Sequence, residues 1–100
     1  RESDRKVSIE EIQRVVCDHY NLRQSDLVGP KRLRAFARPR QVAMFLAKNM
    51  TQRSLPEIGR KFGGRDHTTV MHGVKKITEL CQIDSHIADD LEMLRRTLEA

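Results

Sequence analysis

The sequence predicts an all-α fold, a small helical bundle that contains a helix-turn-helix with a preceding basic loop. Val, Ile, Leu and Met recur at helical spacing, and no alternating run of β-branched residues is present. The stretch from Ser54 to Ile77, SLPEIGRKFGGRDHTTVMHGVKKI, has the pattern of a short helix, a glycine turn and a longer helix. With 100 residues, of which 38% are hydrophobic and 33% are charged, the chain can form one modest core.

The first part of the chain predicts one long helix and one short one. Residues 1–7 are charged and aperiodic, which is typical of the end of a linker, so we predict a helix-turn-helix domain over residues 8–100. Ser8 is followed by a glutamate three residues later, which is the spacing of a capping box, and Asn21 is a residue that favours a helix end. Residues 24–28 predict one further short helical turn.

A cation-rich connection over residues 29–37 leads to a second long helix. We expect this helix to begin at Arg38-Pro39, because the first turn of a helix tolerates the missing N–H of proline. Its predicted core stripe consists of Val42, Phe45, Leu46 and Met50.

Two caps and a glycine pair predict the helix-turn-helix. Ser54 is followed by Pro56 and by a glutamate at capping-box spacing, which favours the start of a short helix. Gly63-Gly64 ends this helix, and Gly59 within it allows another helix to approach closely. Asp66 can cap the next helix by accepting hydrogen bonds from its first N–H groups. The predicted buried face of that next helix consists of Val70, Val74, Ile77 and Cys81.

A terminal amphipathic helix is predicted to start at Asp84-Ser85. We interpret its apolar stripe as core and not as a groove for a partner. The stripe consists of Ile87, Leu91, Leu94 and Leu98.

The net charge of +5 is concentrated in the middle of the chain. Residues 27–76 carry twelve Lys and Arg against two acids, a balance of +10, and no acid lies between residues 27 and 56. Clustered cations of this kind favour a polyanionic partner, because they release the counterions that condense on nucleic acid. A solvated basic surface is the alternative interpretation.

The sequence gives little support for a disulfide, a metal site, a catalytic or cofactor site, or a membrane span. Cys17 and Cys81 lie in apolar patterns, which favours buried thiols over a disulfide. His67 and His72 are five residues apart and therefore lie on different helix faces, so we expect no metal site. No nucleophile–base pair and no nucleotide-binding loop stand out, so we expect neither catalysis nor a cofactor in this chain. No signal peptide or hydrophobic span is found, which predicts a soluble cytoplasmic protein.

The first residues of the second helix of a helix-turn-helix are the ones that meet base edges. Here these residues are Arg65, Asp66, His67, Thr68 and Thr69. A carboxylate can accept from base amino groups, imidazole can donate or accept, and threonine offers a hydroxyl and a methyl group. For Asp66 alone, the simple helix cap is the stronger interpretation. Further along the same helix, two lysines that could reach phosphates are Lys75 and Lys76.

The loop from Pro30 to Arg34 is a second candidate for DNA contact. A cation on a flexible arm can enter a narrow A·T-rich minor groove, where the negative potential is enhanced. Attraction to phosphates without insertion is the alternative, and composition alone does not decide which arginine would insert.

On these motifs, the chain resembles the C-terminal DNA-binding domain of the bacterial chromosomal replication initiator DnaA, from about Val7 to the C-terminus. The most specific motif is GGRDHTTV, residues 63–70. The motifs ARPRQ, residues 37–41, and SLPEIG, residues 54–59, support it and occur in the same order.

The resemblance implies recognition of short asymmetric boxes of about nine base pairs at a replication origin, with the helix-turn-helix in the major groove and the loop in the minor groove. By position, Arg32 matches the minor-groove arginine, and the base-reading residues match Asp66, His67 and Thr68. Residues at positions that face the DNA backbone are Lys31, Arg34, Arg40, Gln41, Lys48, Leu55, Pro56 and Thr69. We also place Arg65, Lys75 and Lys76 among the backbone contacts. Pro30 stands where many members carry a further cation.

The resemblance also implies partners and a cofactor outside this domain. An ATP-binding module and parts that oligomerise are expected upstream of this domain in the full-length protein. The domain itself should bind duplex DNA as a monomer, in the cytoplasm at the nucleoid. Regulatory protein partners are expected as well. The alternative function is a helix-turn-helix transcriptional repressor, which usually needs a dimer surface to reach two half-sites.

Overall fold

The computed structural model describes residues 7–30 and 34–100 as an all-helical protein, as the sequence predicts. No helix in these two ranges is long and apolar enough to span a membrane. The helices in the described ranges are α1 (Ile9–Tyr20), α2 (Gln24–Val28), α3 (Arg34–Met50), α4 (Leu55–Lys61), α5 (His67–Leu80) and α6 (Ser85–Glu99).

The predicted helix caps are present. The Glu11 N–H donates to Ser8 Oγ over 3.0 Å at the start of α1, and Asn21 ends this helix in the left-handed region with φ 58°. At the start of α4, Ser54 and Glu57 form the reciprocal box, with backbone N–H to side-chain oxygen distances of 3.3 Å in both directions. These bonds satisfy N–H groups that have no partner within the helix.

The start of α3 differs from the prediction. Residues 34–37 already belong to α3, so the expectation that this helix begins at Arg38-Pro39 is wrong. Pro39 lies in the second turn and lacks only the N–H that would have bonded the carbonyl of Ala35. One missing bond so close to the helix start does not interrupt the helix. Arg34 therefore lies in the first turn of α3 and not in a loop.

Helix α3 forms the centre of the core. Six consecutive residues, from Val42 to Ala47, are buried, because α1 packs on one side of α3 and α5 on another. The predicted core residue Met50 is only half-buried at the end of the helix. A buried central helix gives the helix-turn-helix a rigid support.

The face of α5 that packs on the core includes the four predicted residues and also Gly73. Val70 and Ile77 are buried, and Val74 and Cys81 are half-buried but pack against the core. Gly73 is buried because α3 approaches closely, since a Cβ on Gly73 would lie 3.4 Å from Gln41 Cγ.

The terminal helix α6 is part of the core. Its four predicted apolar residues are all buried, and α6 packs on α1. Asp90 of α6 lies 3.0 Å from His19 Nε2 and accepts a hydrogen bond from the Tyr20 hydroxyl over 3.0 Å. Burial followed by this bond raises the pKa of Tyr20.

Both cysteines are free thiols, so the disulfide alternative does not hold. Cys17 is buried, and burial raises the pKa of its thiol. Cys81 is half-buried at the end of α5, where Sγ donates to the carbonyl of Thr78 over 3.2 Å.

Buried polar contacts fix the end of α4 against α1. Gln13, which is 2% exposed, donates from Nε2 to the carbonyl of Lys61 over 2.9 Å and accepts from Gln24 Nε2 over 2.7 Å. Lys61 Nζ also lies 2.6 Å from a carboxylate oxygen of Glu10, and this hydrogen bond lowers the pKa of Glu10. The first helix of the helix-turn-helix, α4, is therefore held against α1 by one contact to its backbone and one to a side chain.

Candidate nucleic-acid interface

The turn between α4 and α5 is tight because it consists of glycines and a close backbone contact. Gly63 and Gly64 have φ values of 80° and 76°, a region that other residues rarely adopt. The N–H of Arg65 donates to the carbonyl of Gly59 over 2.9 Å. The close neighbour that the sequence predicts for Gly59 is thus the backbone of the turn itself, together with the side chain of Val70 on α5.

Asp66 caps α5. Its carboxylate accepts from the N–H of Thr68 over 3.0 Å and also from the Thr68 hydroxyl. These two bonds lower the pKa of Asp66, so the carboxylate is ionised at neutral pH. Its second oxygen lies 3.7 Å from His67 Nδ1. The cap interpretation is therefore confirmed, and the cap orients two of the residues predicted to read bases.

The first turn of α5 is open to solvent. His67, Thr68 and Thr69 are all exposed, and no apolar residue precedes Val70 in this helix. A helix end that exposes donors, acceptors and methyl groups in one turn can present them to base edges in a major groove. The N-terminal position of these groups on α5 is also the position that a helix-turn-helix uses for this purpose.

Exposed cations lie on α3 and α5. Arg34 and Lys48 are exposed at the two ends of α3, and Lys75 and Lys76 are exposed on α5. At the start of α4, Pro56 is exposed and Leu55 is half-buried. The cations are at positions from which side chains can reach phosphates, whereas Leu55 packs against the core.

Two residues predicted to contact the DNA backbone, Arg40 and Arg65, are less exposed than these cations. Arg40 is only 7% exposed, and its Nε and one terminal nitrogen each donate to a backbone carbonyl over 2.7 Å. Burial, followed by the nearby positive charge of Arg65, lowers the pKa of Arg40. Arg65 is half-buried and donates to carbonyl groups of the preceding turn and of the segment after α2. Both guanidinium groups therefore bind protein backbone.

A cleft of about 250 Å³ lies between α3 and the first two turns of α5. Gln41, Thr69 and His72 contribute polar groups to its lining. Gln41 Oε1 accepts from Arg38 over 2.6 Å, so its Nε2 group is the part of the amide that can donate to a phosphate. His72 lines this cleft although it is not among the predicted interface residues. Its spacing of three residues from Thr69 places both on neighbouring positions of the helix surface, and this spacing could have indicated it.

Lys31 and Arg32, predicted respectively to contact the DNA backbone and the minor groove, lie outside the described residues. Their roles stay predictions. The described residues on either side, Pro30 and Arg34, are both exposed.

Comparison with known proteins gives a consistent match to one family. The family model described as the bacterial dnaA protein helix-turn-helix matches residues 9–77. The chain is 72% identical over 100 residues to the chromosomal replication initiator protein DnaA of Cereibacter sphaeroides, and 56% identical over 94 residues to that of Brucella abortus. These alignments cover 100% and 94% of this chain, but only 22% and 19% of the relatives.

A solved structure is also similar. The crystal structure of a DNA replication initiation factor superposes with a TM-score of 0.80 at 26% identity, over 91% of this chain and 28% of that chain. The chain therefore spans from about a fifth to more than a quarter of the length of the proteins that it matches.

Proposed function

Since the chain belongs to the bacterial DnaA helix-turn-helix family, we propose that it binds duplex DNA sequence-specifically at a replication origin as the DNA-binding module of a replication initiator. The single observation that carries this proposal is the exposed first turn of α5, which follows the Asp66 carboxylate cap. Short asymmetric boxes are the proposed targets.

The proposed base-reading residues are Asp66, His67 and Thr68 in the major groove. Because the Thr68 hydroxyl donates to the cap, its methyl group and its hydroxyl lone pairs are what it offers to DNA. A methyl group can contact the C5-methyl of thymine, while imidazole can donate to or accept from a base edge. The carboxylate of Asp66 can accept from a cytosine or adenine amino group through the oxygen that does not cap the helix.

Phosphates are proposed to be held by residues around this turn. Lys48, Lys75 and Lys76 supply charge, and Gln41 and Thr69 supply neutral donors beside the cleft. The resemblance adds Arg34, Lys31, Leu55 and Pro56 to the backbone contacts and Arg32 to the minor groove. These contacts position the domain but carry no sequence information of their own.

The context of the domain is part of the same proposal. We propose that the domain binds one box as a monomer, in the cytoplasm at the nucleoid, and that the full-length protein supplies ATP binding, oligomerisation and contacts with regulatory proteins. A dimeric transcriptional repressor would place two copies on one site. Analytical ultracentrifugation on a duplex with one asymmetric box distinguishes the two stoichiometries.

The decisive experiment separates base reading from phosphate holding. A box is first selected from random duplex DNA, and affinities for this box and for random DNA are then measured at one salt concentration. His67→Ala and Thr68→Ala should lose affinity for the box and discrimination with it, by about 1–3 kcal/mol each. Lys48→Ala should weaken both affinities alike. An unchanged ratio for the first two variants, or a collapsed ratio for Lys48→Ala, would contradict the proposed roles.

A further inference from the structure

The last turn of α2 directs four consecutive backbone carbonyls at two arginine side chains. Carbonyl groups at a helix C-terminus have no N–H partner within the helix and must be satisfied by other groups. Arg40 donates to the carbonyls of Asp26 and Leu27, both over 2.7 Å. Arg65 donates to those of Val28 and Gly29, over 3.4 and 2.8 Å. Charged donors therefore bind the carbonyls of the last three residues of α2 and of Gly29, its C-cap.

The two arginines come from the two elements that are proposed to face the DNA backbone and the bases. Arg40 lies on α3, and Arg65 is the residue directly before the cap of α5. Arg65 also donates to the carbonyl of Phe62 in the turn, so one guanidinium joins the turn to the segment after α2. That segment continues through Pro30 into the basic loop. The root of the loop is therefore fixed to the helix-turn-helix by hydrogen bonds.

A close backbone contact also connects the turn between α4 and α5 to the end of α2. We call this connection the joint. A Cβ on Gly63 would lie 2.0 Å from the carbonyl oxygen of Val28, which is much closer than a real contact. The same hypothetical atom on Gly64, which also has a positive φ, would meet nothing within 4 Å. The turn and the end of α2 thus approach each other at Gly63 and not at its neighbour.

We propose that Arg40 and Arg65 are positioning residues that hold the root of the basic loop on the helix-turn-helix turn, so that the loop and α5 meet DNA at a fixed spacing. The inference rests on the proposed function, in which the loop and α5 occupy neighbouring grooves. It replaces the assignment of these two arginines as phosphate contacts. Arginine suits the task because its five donors lie in a rigid plane and can bridge several carbonyls, whereas a lysine ammonium is a point charge on a flexible stem.

The test is a double-mutant cycle between Arg65 and Arg32. Arg65→Lys retains the charge and removes the bridging geometry. It should weaken binding to the selected box by about tenfold, which is the loss expected from a misplaced groove contact. In an Arg32→Ala background the same change should cost less than about twofold, because the loop has then already lost the contact that the joint positions. Arg95→Lys, an exposed residue on α6, is the matched control and should bind as the wild type does.

A charge-neutral pair of variants tests the joint without changing any arginine. Gly63→Ala should weaken binding to the box as Arg65→Lys does, and this effect should also shrink in the Arg32→Ala background. Both variants should leave the affinity for random DNA unchanged. Gly64→Ala carries the same unfavourable φ without the contact and should bind the box like the wild type. Far-UV circular dichroism establishes that each variant is folded. The Cβ of Gly63→Ala would press on the Val28 carbonyl oxygen and on Arg65 Nη1, 2.0 and 3.1 Å away. This variant therefore disturbs the joint without replacing an arginine, and it keeps the proposal testable even if Arg65→Lys does not fold.

The outcomes separate positioning from phosphate contact. A phosphate contact predicts wild-type affinity for both Arg65→Lys and Gly63→Ala. It also predicts a loss on all DNA for the neutral Arg65→Gln, with a salt slope shallower by about 0.9. Any of these results would overturn the proposal, as would a loss in Arg65→Lys that persists in full in the Arg32→Ala background. A wild-type chain without preference for any box would instead contradict the proposed function itself.

Discussion

Gly59 is a position where one added methyl group should have a large effect on the helix-turn-helix. A Cβ on this residue would lie 2.1 Å from the carbonyl oxygen of Arg65 and 3.6 Å from Val70 Cγ2. The first neighbour is backbone and belongs to the turn that leads into α5, so it cannot rotate away as a side-chain tip could. Gly59→Ala must therefore push α4 and the start of α5 apart.

The magnitude follows from three contributions. Alanine in a helix is favoured over glycine by about 1 kcal/mol. Overpacking costs about 1–3 kcal/mol, and the bond from the Arg65 N–H to the Gly59 carbonyl, now 2.9 Å long, contributes about 1 kcal/mol when it is lost. We therefore expect Gly59→Ala to lower the free energy of unfolding by about 1–3 kcal/mol.

Gly73→Ala is the matched control, because it is also a buried helical glycine. Its Cβ would lie 3.4 Å from Gln41 Cγ and 3.5 Å from Met44 Sδ, both in flexible side chains. This variant should be neutral or up to about 1 kcal/mol more stable than the wild type. Thermal unfolding followed by circular dichroism compares the pair, since 1 kcal/mol shifts Tm by about 4–8 °C in a domain of this size. A Gly59→Ala variant as stable as Gly73→Ala would refute the close approach.

Three further outcomes are expected. Ile77→Ala should lower the free energy of unfolding by about 2–4 kcal/mol, because Ile77 is fully buried. Lys75→Ala should lower it by less than about 0.5 kcal/mol, and equal urea midpoints for the two variants would contradict the orientation of α5. The slope of log affinity against log salt should be about −5 for six cationic contacts, against about −7 if Arg40 and Arg65 also reached phosphates. The pKa of Asp66 in the folded chain is below the ordinary value of 3.8. The stabilisation of the fold by the ionised Asp66 cap is therefore present above pH 3.8 and is lost as the pH falls through the lower folded pKa. The advantage of wild type over Asp66→Asn in urea denaturation should therefore shrink below pH 3.8, and a constant difference down to pH 2 would contradict the ionised cap.

The helix starts could be predicted because their causes are local. Ser8, Ser54 and Asp66 each accept a hydrogen bond from an N–H two or three residues later. The atoms of such a cap lie within one turn, so the spacing of residue types is enough to indicate it. The apolar stripe of α6 was predictable for a related reason, since its period is that of the helix itself.

The start of α3 and the burial of Gly73 on α5 depend on information that is not local. Pro39 favours a helix start, but the residues before it can form a helix as well, and only the position of the following core decides where α3 begins. On α5, Val74 is more apolar than Gly73, yet the surface that α3 covers contains the glycine. A hydrophobicity pattern cannot indicate which neighbour comes close enough to require the absence of a side chain.

The arginines show why a candidate site is harder to predict than a fold. Arg40 and Arg65 lie in the basic segment beside residues that are exposed, and the same donors that suit a phosphate oxygen also suit a backbone carbonyl. The choice between the two acceptors depends on whether an unsatisfied helix end lies within reach, and here the end of the short helix α2 does. The charge of the segment alone therefore does not indicate which cations bind backbone carbonyls. In our proposal, two of these charges hold the loop that carries others.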